Sequence, residues 1–291
     1  MTVDRIELSD LEKYLGKNIA PCVVCGNNNF DIHSELEYLK GRQCKECGMI
    51  SINPYFTKEG IELLYSTYLS NRLADKKTLQ QREIMYDIDR DWILRHITRG
   101  SVLDIGSSAG YFLSRFNANN FKRMGVERSD ECRIEAMNKF NIPIIVGDFT
   151  KIEFDEAFDL ITMRGVIEHF VDPVSVIERI SEIISKGGLL YITATPNGAA
   201  FAFDVYRGKW NLFSPDHVHH FSLQHLDNIM SRYSFKLIDY SYQYEETPYA
   251  NPHHDFNKIK KDICLIAKGH DDVTESVPFP GSMITALWKK I

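Results

Sequence analysis

The sequence predicts an α/β protein with a mostly parallel sheet and helices on both sheet faces, preceded by a small cysteine-rich module. From residue 101 onward, short apolar segments that suit buried strands alternate with segments of helical periodicity. Strands that alternate with helices favour a parallel sheet with both faces covered. Ahead of this region, four of the six cysteines form two Cys-x-x-Cys pairs.

Seven strands are expected in the α/β region. They cover residues 101–106, 122–128, 144–146, 158–163, 188–194, 235–242 and 262–267. Helices are expected over residues 110–118, from a cap at Ser129 through residue 140, after Pro173, and over residues 222–233. Because no clear helix pattern separates the last two strands, we expect them to form an antiparallel hairpin.

Two further helices are expected between the cysteine module and the sheet. Asn53-Pro54 marks a turn, after which apolar side chains recur at helical spacing at Ile61, Leu64, Tyr65 and Tyr68. A second helix covers residues 84–97. The resulting organisation is a cysteine module (residues 1–56), a helical linker or cap (57–99), an α/β domain (100–270) and a C-terminal tail (271–291).

Composition narrows the classes of partner. The chain of 291 residues has a formal net charge of −6, which argues against nucleic-acid binding because that binding depends on neutralising phosphates. No segment approaches the roughly 20 apolar residues of a membrane-spanning helix. The polar first ten residues lack the apolar core of a signal peptide. We therefore expect a cytoplasmic protein with reduced thiols and no membrane association.

The two cysteine pairs, Cys22–Cys25 and Cys44–Cys47, have the spacing of a structural zinc site with four thiolate ligands. A glycine follows each pair, and we expect it to let backbone N–H groups approach the sulfurs without a Cβ clash. Two coincidental pairs or a redox motif are the alternatives. Cys132 and Cys264 lie in predicted regular elements and suit packed thiols.

The charge of this module bears on what it does. Residues 1–60 contain seven Lys or Arg and nine Asp or Glu, so the module is a poor phosphate-binding surface. We expect a ribbon that packs on the α/β domain or shapes the entrance to its ligand site.

A glycine-containing loop follows the first strand of the α/β region. It runs from Asp104 through Gly106 and Ser107 to Gly110 and Tyr111. It resembles the Asp-x-Gly-x-Gly-x-Gly loop of class I S-adenosylmethionine (SAM)-dependent methyltransferases, with Ser108 at the middle glycine position. A loop with fewer glycines suits SAM, which has no phosphate, better than the dinucleotide of an NAD-binding Rossmann domain, the main alternative.

Later strand ends extend this resemblance in order. Glu127-Arg128 ends the second strand at the position of a ribose-binding carboxylate. In the family, the position of Asp148 binds the adenine amine and that of Phe149 flanks the ring. Arg164 directly follows the fourth strand, and the Glu168-His169 pair after it is similar to the family's post-strand segment. These positions imply a Rossmann-like sheet that binds SAM.

The layout of a zinc ribbon before a methyltransferase domain resembles enzymes that methylate sugars, including nucleotide-linked sugars for surface polysaccharides. The resemblance implies methyl transfer to a small molecule, with a hydroxyl of a sugar or nucleotide-linked sugar as the expected acceptor and an amine or a carbon atom as the alternatives. An RNA-modifying enzyme that uses the ribbon and a non-catalytic SAM-binding protein are the alternatives. The sequence leaves the oligomeric state undetermined.

The acceptor side has candidate bases and an aromatic segment. Residues 196–221 suit a substrate lid because aromatic rings stack on sugars or bases; its aromatics are Phe201, Phe203, Tyr206, Trp210 and Phe213. Histidine suits proton removal from a hydroxyl near neutral pH. We therefore expect His169 and His217 or His220 to be catalytic. A structural residue that orients the loop is the alternative for His169, and a second metal site or a structural turn is the alternative for the His217–His220 cluster. Residues 251–255 are expected to form an exposed hairpin loop.

Overall fold

A computed structural model describes residues 8–66, 76–270, 273 and 276–291 of the chain. The chain forms two compact units. The ribbon unit comprises Met1–Lys76, Pro196–His225 and Tyr242–Met283. The sheet unit comprises Lys77–Thr195, Leu226–Ser241 and Ile284–Ile291.

The regular elements are numbered here in chain order. The strands are β1 (Phe30–Leu36), β2 (Leu39–Cys44), β3 (Ile50–Ile52), β4 (Gly100–Ile105), β5 (Phe121–Glu127), β6 (Ile144–Val146), β7 (Phe158–Arg164), β8 (Ile184–Pro196), β9 (His219–His220), β10 (Phe235–Ser241) and β11 (Met283–Lys290). The helices are α1 (Leu8–Leu11), α2 (Lys58–Ser66), α3 (Lys76–Ile93), α4 (Asp130–Phe140), α5 (Pro173–Ile183), α6 (Phe201–Tyr206), α7 (Leu223–Ser231) and α8 (Pro252–Ala267).

The sheet unit contains a seven-stranded sheet in the order β10-β11-β8-β7-β4-β5-β6. Strands β6, β5, β4, β7 and β8 pair in parallel, and β10 pairs antiparallel with β11. The central strands are almost continuously buried, which is typical of parallel sheets covered on both faces. The predicted fold class is therefore confirmed.

Local sequence explains the helices that flank this sheet. Ser129 caps α4 by accepting a hydrogen bond from the Cys132 N–H. Asp172 caps α5 in the same way, and Pro173 occupies its first turn, where no N–H is needed. The buried side chains of α5 recur at helical spacing, so this helix covers the sheet with one apolar face.

The ribbon unit has its own antiparallel sheet, in the order β1-β2-β3-β9. Its core joins apolar residues of β2 and β3, such as Leu39, Ile50 and Ile52, to aromatic residues that follow β8, such as Phe203 and Trp210. Both predicted helices after the ribbon are present, α2 in this unit and α3 in the sheet unit. Tyr68, the last position of the first helical pattern, lies outside the described residues.

The predictions for the last third of the chain need correction. Residues 262–267 are the end of helix α8, not a strand, and residues 251–255 are its start, not a hairpin loop. Asn251 caps α8 by accepting from the His254 N–H, and Pro252 occupies its first turn. A short apolar run at the end of a helix cannot be distinguished from a strand by periodicity alone. The last strand is β11, within the predicted C-terminal tail.

The helix predicted over residues 110–118 is also wrong. Only a 3-10 turn, Leu113–Arg115, forms there. Phe116 has an extended backbone and ends the turn, and the Asn117 side chain accepts a hydrogen bond from the Asn119 N–H, an arrangement that competes with helix. In the described part of the chain, no helix has both the length and the apolar character that membrane spanning requires.

Candidate active site

The cofactor candidates lie at one edge of the seven-stranded sheet. The chain passes from β4 to β5 and β6 on one side, whereas β7 and β8 lie on the other side of β4. The carboxyl end of β4 is therefore a topological switch point, where ligands of open α/β sheets bind. The loops after β4, β5, β6 and β7 all begin at this edge because the four strands are parallel.

Close packing shapes the loop after β4. Gly106 has φ 72°, and a Cβ there would lie 2.6 Å from Val166 Cγ2 in the segment after β7. A Cβ at Gly110 would lie 3.2 Å from the Cβ of Ala136 on α4. The two end glycines thus allow the loop to lie directly against its neighbours.

Ser108 lies in the left-handed region, with φ 47°, where glycine is favoured. Its N–H donates to Glu127 Oε2 over 2.9 Å. Although serine replaces the family's glycine at this position, the backbone keeps its left-handed conformation. The loop amide also holds the carboxylate at the end of β5.

Glu127 is held from a second direction as well. Its Oε1 accepts the N–H of Arg128 over 2.6 Å, and the Arg128 side chain is exposed. Two backbone donors therefore orient a half-buried carboxylate at the sheet edge. A carboxylate oriented in this way can accept hydrogen bonds from a pair of ribose hydroxyls.

Asp104 and Ser107 are buried beneath the loop. Thr162 Oγ1 donates to Asp104 Oδ1 over 2.7 Å, and Ser107 Oγ donates to the Val126 carbonyl over 3.4 Å. Burial raises the pKa of Asp104 to about 7, against the opposing effects of Thr162 and Arg164. These two predicted cofactor residues stabilise the loop from below.

Asp148 and Phe149 follow β6, as the sequence predicts. Asp148 Oδ1 accepts the Thr150 N–H over 3.1 Å, so this carboxylate caps a 3-10 turn. Burial raises its pKa, but the Thr150 hydrogen bonds and the nearby charges of Arg128 and Lys151 outweigh that effect and lower it. Asp148 is therefore an ionised acceptor at the sheet edge, and the Phe149 ring is buried beside it.

Tyr111 is anchored to α4. Its hydroxyl donates to Glu135 Oε1 over 2.7 Å and accepts from Lys139 Nζ over 2.7 Å. The Lys139 ammonium lies 4.4 Å from the Tyr111 ring centre. The described contacts of Tyr111 therefore fasten the end of the cofactor loop to this helix.

Arg164 forms a buried ion pair that sequence reasoning missed. Its Nε donates to Asp89 Oδ2 over 2.8 Å, and Asp89 Oδ1 accepts the Tyr191 hydroxyl over 2.8 Å. The guanidinium also lies 4.9 Å from the centre of the Tyr86 ring. Arg164 thus fixes α3 against the end of β7. The signal in the sequence was Asp89, an acidic residue four positions after buried Met85 and four before buried Ile93.

The segment after β7 forms the 3-10 turn Ile167–His169. Glu168 is buried and its Oε2 accepts the Thr195 hydroxyl over 3.1 Å, which anchors the turn to the end of β8. His169 is half-buried, and its N–H donates to the carbonyl of Val166, the residue that contacts Gly106. The sheet unit therefore places His169 close to the cofactor loop.

Residues 196–221 differ from the expected aromatic lid. Four of their aromatic side chains, Phe203, Tyr206, Trp210 and Phe213, are buried in the core of the ribbon unit. Phe203 stacks on Trp210 with ring centres 4.4 Å apart. Buried rings offer no face to a ligand, so Phe201, which is 52% exposed, is the aromatic of this set that can stack on an acceptor.

The two histidine candidates of this segment, His217 and His220, have different surroundings in the ribbon unit. His220 is fully buried, and burial together with His217 lowers its pKa to about 3. His220 therefore does not suit a general base, because it neither reaches solvent nor takes a proton near neutral pH. His217 is half-buried, and its Nδ1–H donates to the Leu212 carbonyl over 2.7 Å. His217 stays a candidate base because its side chain is only half-buried.

The four cysteines come together in the ribbon unit. Their sulfurs all lie within 4.8 Å of one another. Two of these approaches join one pair to the other, Cys22 to Cys47 and Cys25 to Cys44, at 3.5 Å each. Burial raises the pKa of Cys22 and of Cys47, whereas for Cys44 the N–H groups of Cys47 and Glu46 outweigh burial and lower it. Four sulfur donors at one point fit a tetrahedral Zn²⁺ ion.

The glycines after each cysteine pair serve a different purpose from the one predicted. Gly26 and Gly48 have φ of 76° and 78°, and their N–H groups donate to the carbonyls of Cys22 and Cys44. A Cβ would have no heavy atom within 4 Å at either position. Glycine is therefore favoured there by the left-handed turn and not by close approach.

Comparison with known proteins decides the family. A family model described as a methyltransferase domain matches residues 71–240, more than half of the chain. The chain belongs to this methyltransferase family. The matched region contains every cofactor candidate of the sheet unit, and Asp148 and Glu127 lie near its centre.

Two relatives and one solved structure are similar to parts of this chain. An uncharacterized protein of Methanocaldococcus jannaschii is 30% identical over 40% of this chain and 55% of its own length. A dTDP-4-amino-2,3,4,6-tetradeoxy-D-glucose N,N-dimethyltransferase of Saccharopolyspora spinosa is 30% identical over 30% of this chain and 35% of its own. The chain thus spans about half or less of these relatives. The N-methyltransferase NodS of Bradyrhizobium japonicum, solved with S-adenosylhomocysteine, superposes with a TM-score of 0.51 at 12% identity, over 77% of this chain and 96% of its own.

Proposed function

We propose that the protein transfers a methyl group from SAM to a small molecule, a hydroxyl or amino group of a sugar or nucleotide-linked sugar. The observation that carries the proposal is the orientation of Glu127 by Ser108 at the switch point of a methyltransferase-family domain. The proposed acceptor segment is residues 196–221.

The residues at the sheet edge fit SAM. The Glu127 carboxylate suits two ribose hydroxyls, and the ionised Asp148 suits the amine of adenine. The loop from Gly106 to Gly110, with its left-handed backbone positions, would lie along the methionine part of SAM. When bound, SAM supplies an electrophilic methyl group on a sulfonium.

The chain must then orient the acceptor and accept its proton. An acceptor atom has to be held in line with the methyl at roughly 3–3.5 Å. His169 is placed beside the cofactor loop by Val166 and Glu168, and we assign it the removal of the acceptor proton. His217 is a second candidate base because it is half-buried, whereas His220 is fully buried.

A sugar-linked acceptor is supported by two observations. One relative acts, by its name, on an amino sugar bound to dTDP. The net charge of −6 and the acidic first 60 residues disfavour the phosphate backbone of RNA. Among the exposed aromatic side chains of the ribbon unit, Phe201 offers a face for the apolar side of a sugar ring.

We assign the four cysteines a structural Zn²⁺ ion. Four thiolates complete a tetrahedral shell and leave no position for a substrate or a reactive water. The metal would therefore stabilise the ribbon and take no part in methyl transfer.

The experiment is incubation of the protein with methyl-labelled SAM and fractions of a cell extract, separated into nucleotide sugars, free amines and RNA. We expect label in the nucleotide-sugar fraction, stable to ribonuclease. Ribonuclease-sensitive label would favour RNA modification. SAM binding without label in any fraction would contradict methyl transfer and favour a non-catalytic SAM-binding protein.

A further inference from the structure

The segment after β8 is built into the ribbon sheet. Strand β9 adds to β3 as the fourth strand, with Ser51 opposite His219. The Ile52 N–H donates to the Val218 carbonyl over 2.9 Å, and Ser51 Oγ lies 2.8 Å from His219 Nδ1. Residues 218–220 are therefore held by the backbone of a strand that begins only two residues after Gly48.

The same segment packs tightly on β1 and β2. A Cβ at Gly41 would lie 2.9 Å from Phe213 Cε2, and a Cβ at Gly208 would lie 1.7 Å from the Glu35 carbonyl oxygen. Two glycines, one on each side, therefore permit this contact. A shift of the ribbon strands would displace residues 208–213 with them.

His225 connects the segment to the second cysteine pair. Its Nε2–H donates to the Cys47 carbonyl over 2.8 Å, and its Nδ1 accepts the Ser222 N–H over 3.0 Å. A single imidazole thus joins a cysteine that holds the proposed metal to Ser222, the residue directly after the acceptor segment.

We propose that His225 is a positioning residue that couples metal binding at the four cysteines to the ordering of residues 196–222. The inference rests on the proposed zinc site and on the proposed acceptor role of this segment. Metal binding fixes the turn from Cys44 to Cys47, and the Cys47 carbonyl then offers His225 a fixed acceptor. The backbone bonds of this turn join Cys44 to Gly48 and Met49, and Lys45 to Asn29.

Coupling of this kind is reciprocal. If metal orders residues 196–222 through His225, the ordered segment must strengthen metal binding by the same factor. Loss of the His225 bonds should therefore reduce both effects equally: the metal affinity, and the ordering of the segment by metal. One buried hydrogen bond corresponds to about a tenfold effect. A residue that merely filled space would show no such match between the two measurements.

The test combines hydrogen exchange of residues 212–222 with zinc competition against a chromophoric chelator. In the wild-type protein, we expect zinc removal to accelerate amide exchange in residues 212–222 by about tenfold or more, with unchanged exchange in α4 of the sheet unit. His225→Phe should retain one zinc per chain but bind it about tenfold more weakly. His225→Gln retains an N–H donor and should restore part of both effects, and His270→Gln, at an exposed histidine of the same unit, is the matched control.

Three outcomes would overturn the inference. In the first, exchange in residues 212–222 is the same with and without zinc in the wild-type protein, a comparison that does not depend on the folding of any variant. In the second, His225→Phe loosens the segment but leaves zinc affinity unchanged. In the third, the protein binds no zinc, which also rejects the metal assignment. Methyl transfer is measured separately, so its absence would reject the proposed activity and leave this coupling intact.

Discussion

The backbone N–H of Ser108 donates to the Glu127 carboxylate over 2.9 Å, and this bond joins the loop after β4 to the end of β5. Ser108 makes it from a left-handed conformation, with φ 47°. The loop conformation and the orientation of the carboxylate are therefore one feature. A change in either should alter cofactor binding.

Ser108→Gly should stabilise the free protein. A left-handed conformation costs a non-glycine residue about 1–2 kcal/mol, which glycine avoids. Part of this gain is offset because glycine increases the conformational entropy of the unfolded chain. We expect a gain of about 0.5 kcal/mol in the free energy of unfolding, measured by urea denaturation. SAM affinity should be equal to or higher than that of the wild-type protein.

Ser107→Gly is the matched control, since the neighbouring serine is buried and does not have a positive φ. Its Oγ donates to the Val126 carbonyl, so its removal should destabilise the protein by about 1 kcal/mol. Equal effects of the two substitutions would contradict the assignment of strain to Ser108.

Asp104 should make stability depend on pH. Burial raises its pKa to about 7, whereas an unfolded aspartate titrates near about 3.9. Between these two values the folded protein binds the extra proton, so its stability falls as pH rises. Asp104→Asn keeps an acceptor for Thr162 but cannot ionise.

The measurement is urea denaturation of both proteins at pH 5 and pH 7.5. We expect the wild-type protein to lose stability relative to Asp104→Asn over this interval. Parallel stability curves would show that the Asp104 carboxyl has an ordinary pKa in the folded protein.

The four cysteines should bind about one zinc ion per chain, measured by elemental analysis of protein purified without chelators. Cys44→Ser should lose most of the metal and lower the free energy of unfolding by several kcal/mol, because metal binding contributes directly to folding. Cys264→Ser is the control, since that cysteine is exposed on α8. Metal-free wild-type protein of undiminished stability would reject the site.

Substitutions of the three histidine candidates should have different effects in methyl-transfer and stability assays. His169→Gln should lower kcat by about 10²-fold or more, the effect of losing a general base, while SAM affinity is retained. Substitution of His217 reports on the second candidate. His220→Gln should instead lower thermal stability, because His220 is buried. An unchanged kcat in His169→Gln would remove His169 from the mechanism.

The sequence predicted the parts of the fold that depend on local pattern. The buried strand before Asp104, the strand that ends at Glu127 and the cap at Ser129 follow from apolar runs and capping chemistry. The same patterns gave wrong secondary-structure predictions where local signals conflict. Residues 262–267 end a helix whose start at Asn251 was assigned to a loop, and residues 110–118 form only a turn.

Long-range contacts account for the rest of the difference. The burial of Trp210 and His220 depends on β9 joining β3, a pairing of segments about 170 residues apart that no local pattern records. The ion pair of Asp89 with Arg164 depends on tertiary packing in the same way. Local sequence therefore predicted the proposed cofactor loop and the bounds of the proposed acceptor segment, whereas the burial of that segment's aromatic side chains was found only in the structure.

Calorimetric titration of SAM into the wild-type protein and Glu127→Ala tests the central claim most directly. The control is Glu131→Ala, an exposed carboxylate in the first turn of α4. We expect 1:1 binding to the wild-type protein and to Glu131→Ala, and affinity reduced by about 100-fold in Glu127→Ala, because two hydrogen bonds to a charged acceptor are lost. Absence of binding to the wild-type protein, or equal affinity in Glu127→Ala, would contradict the account.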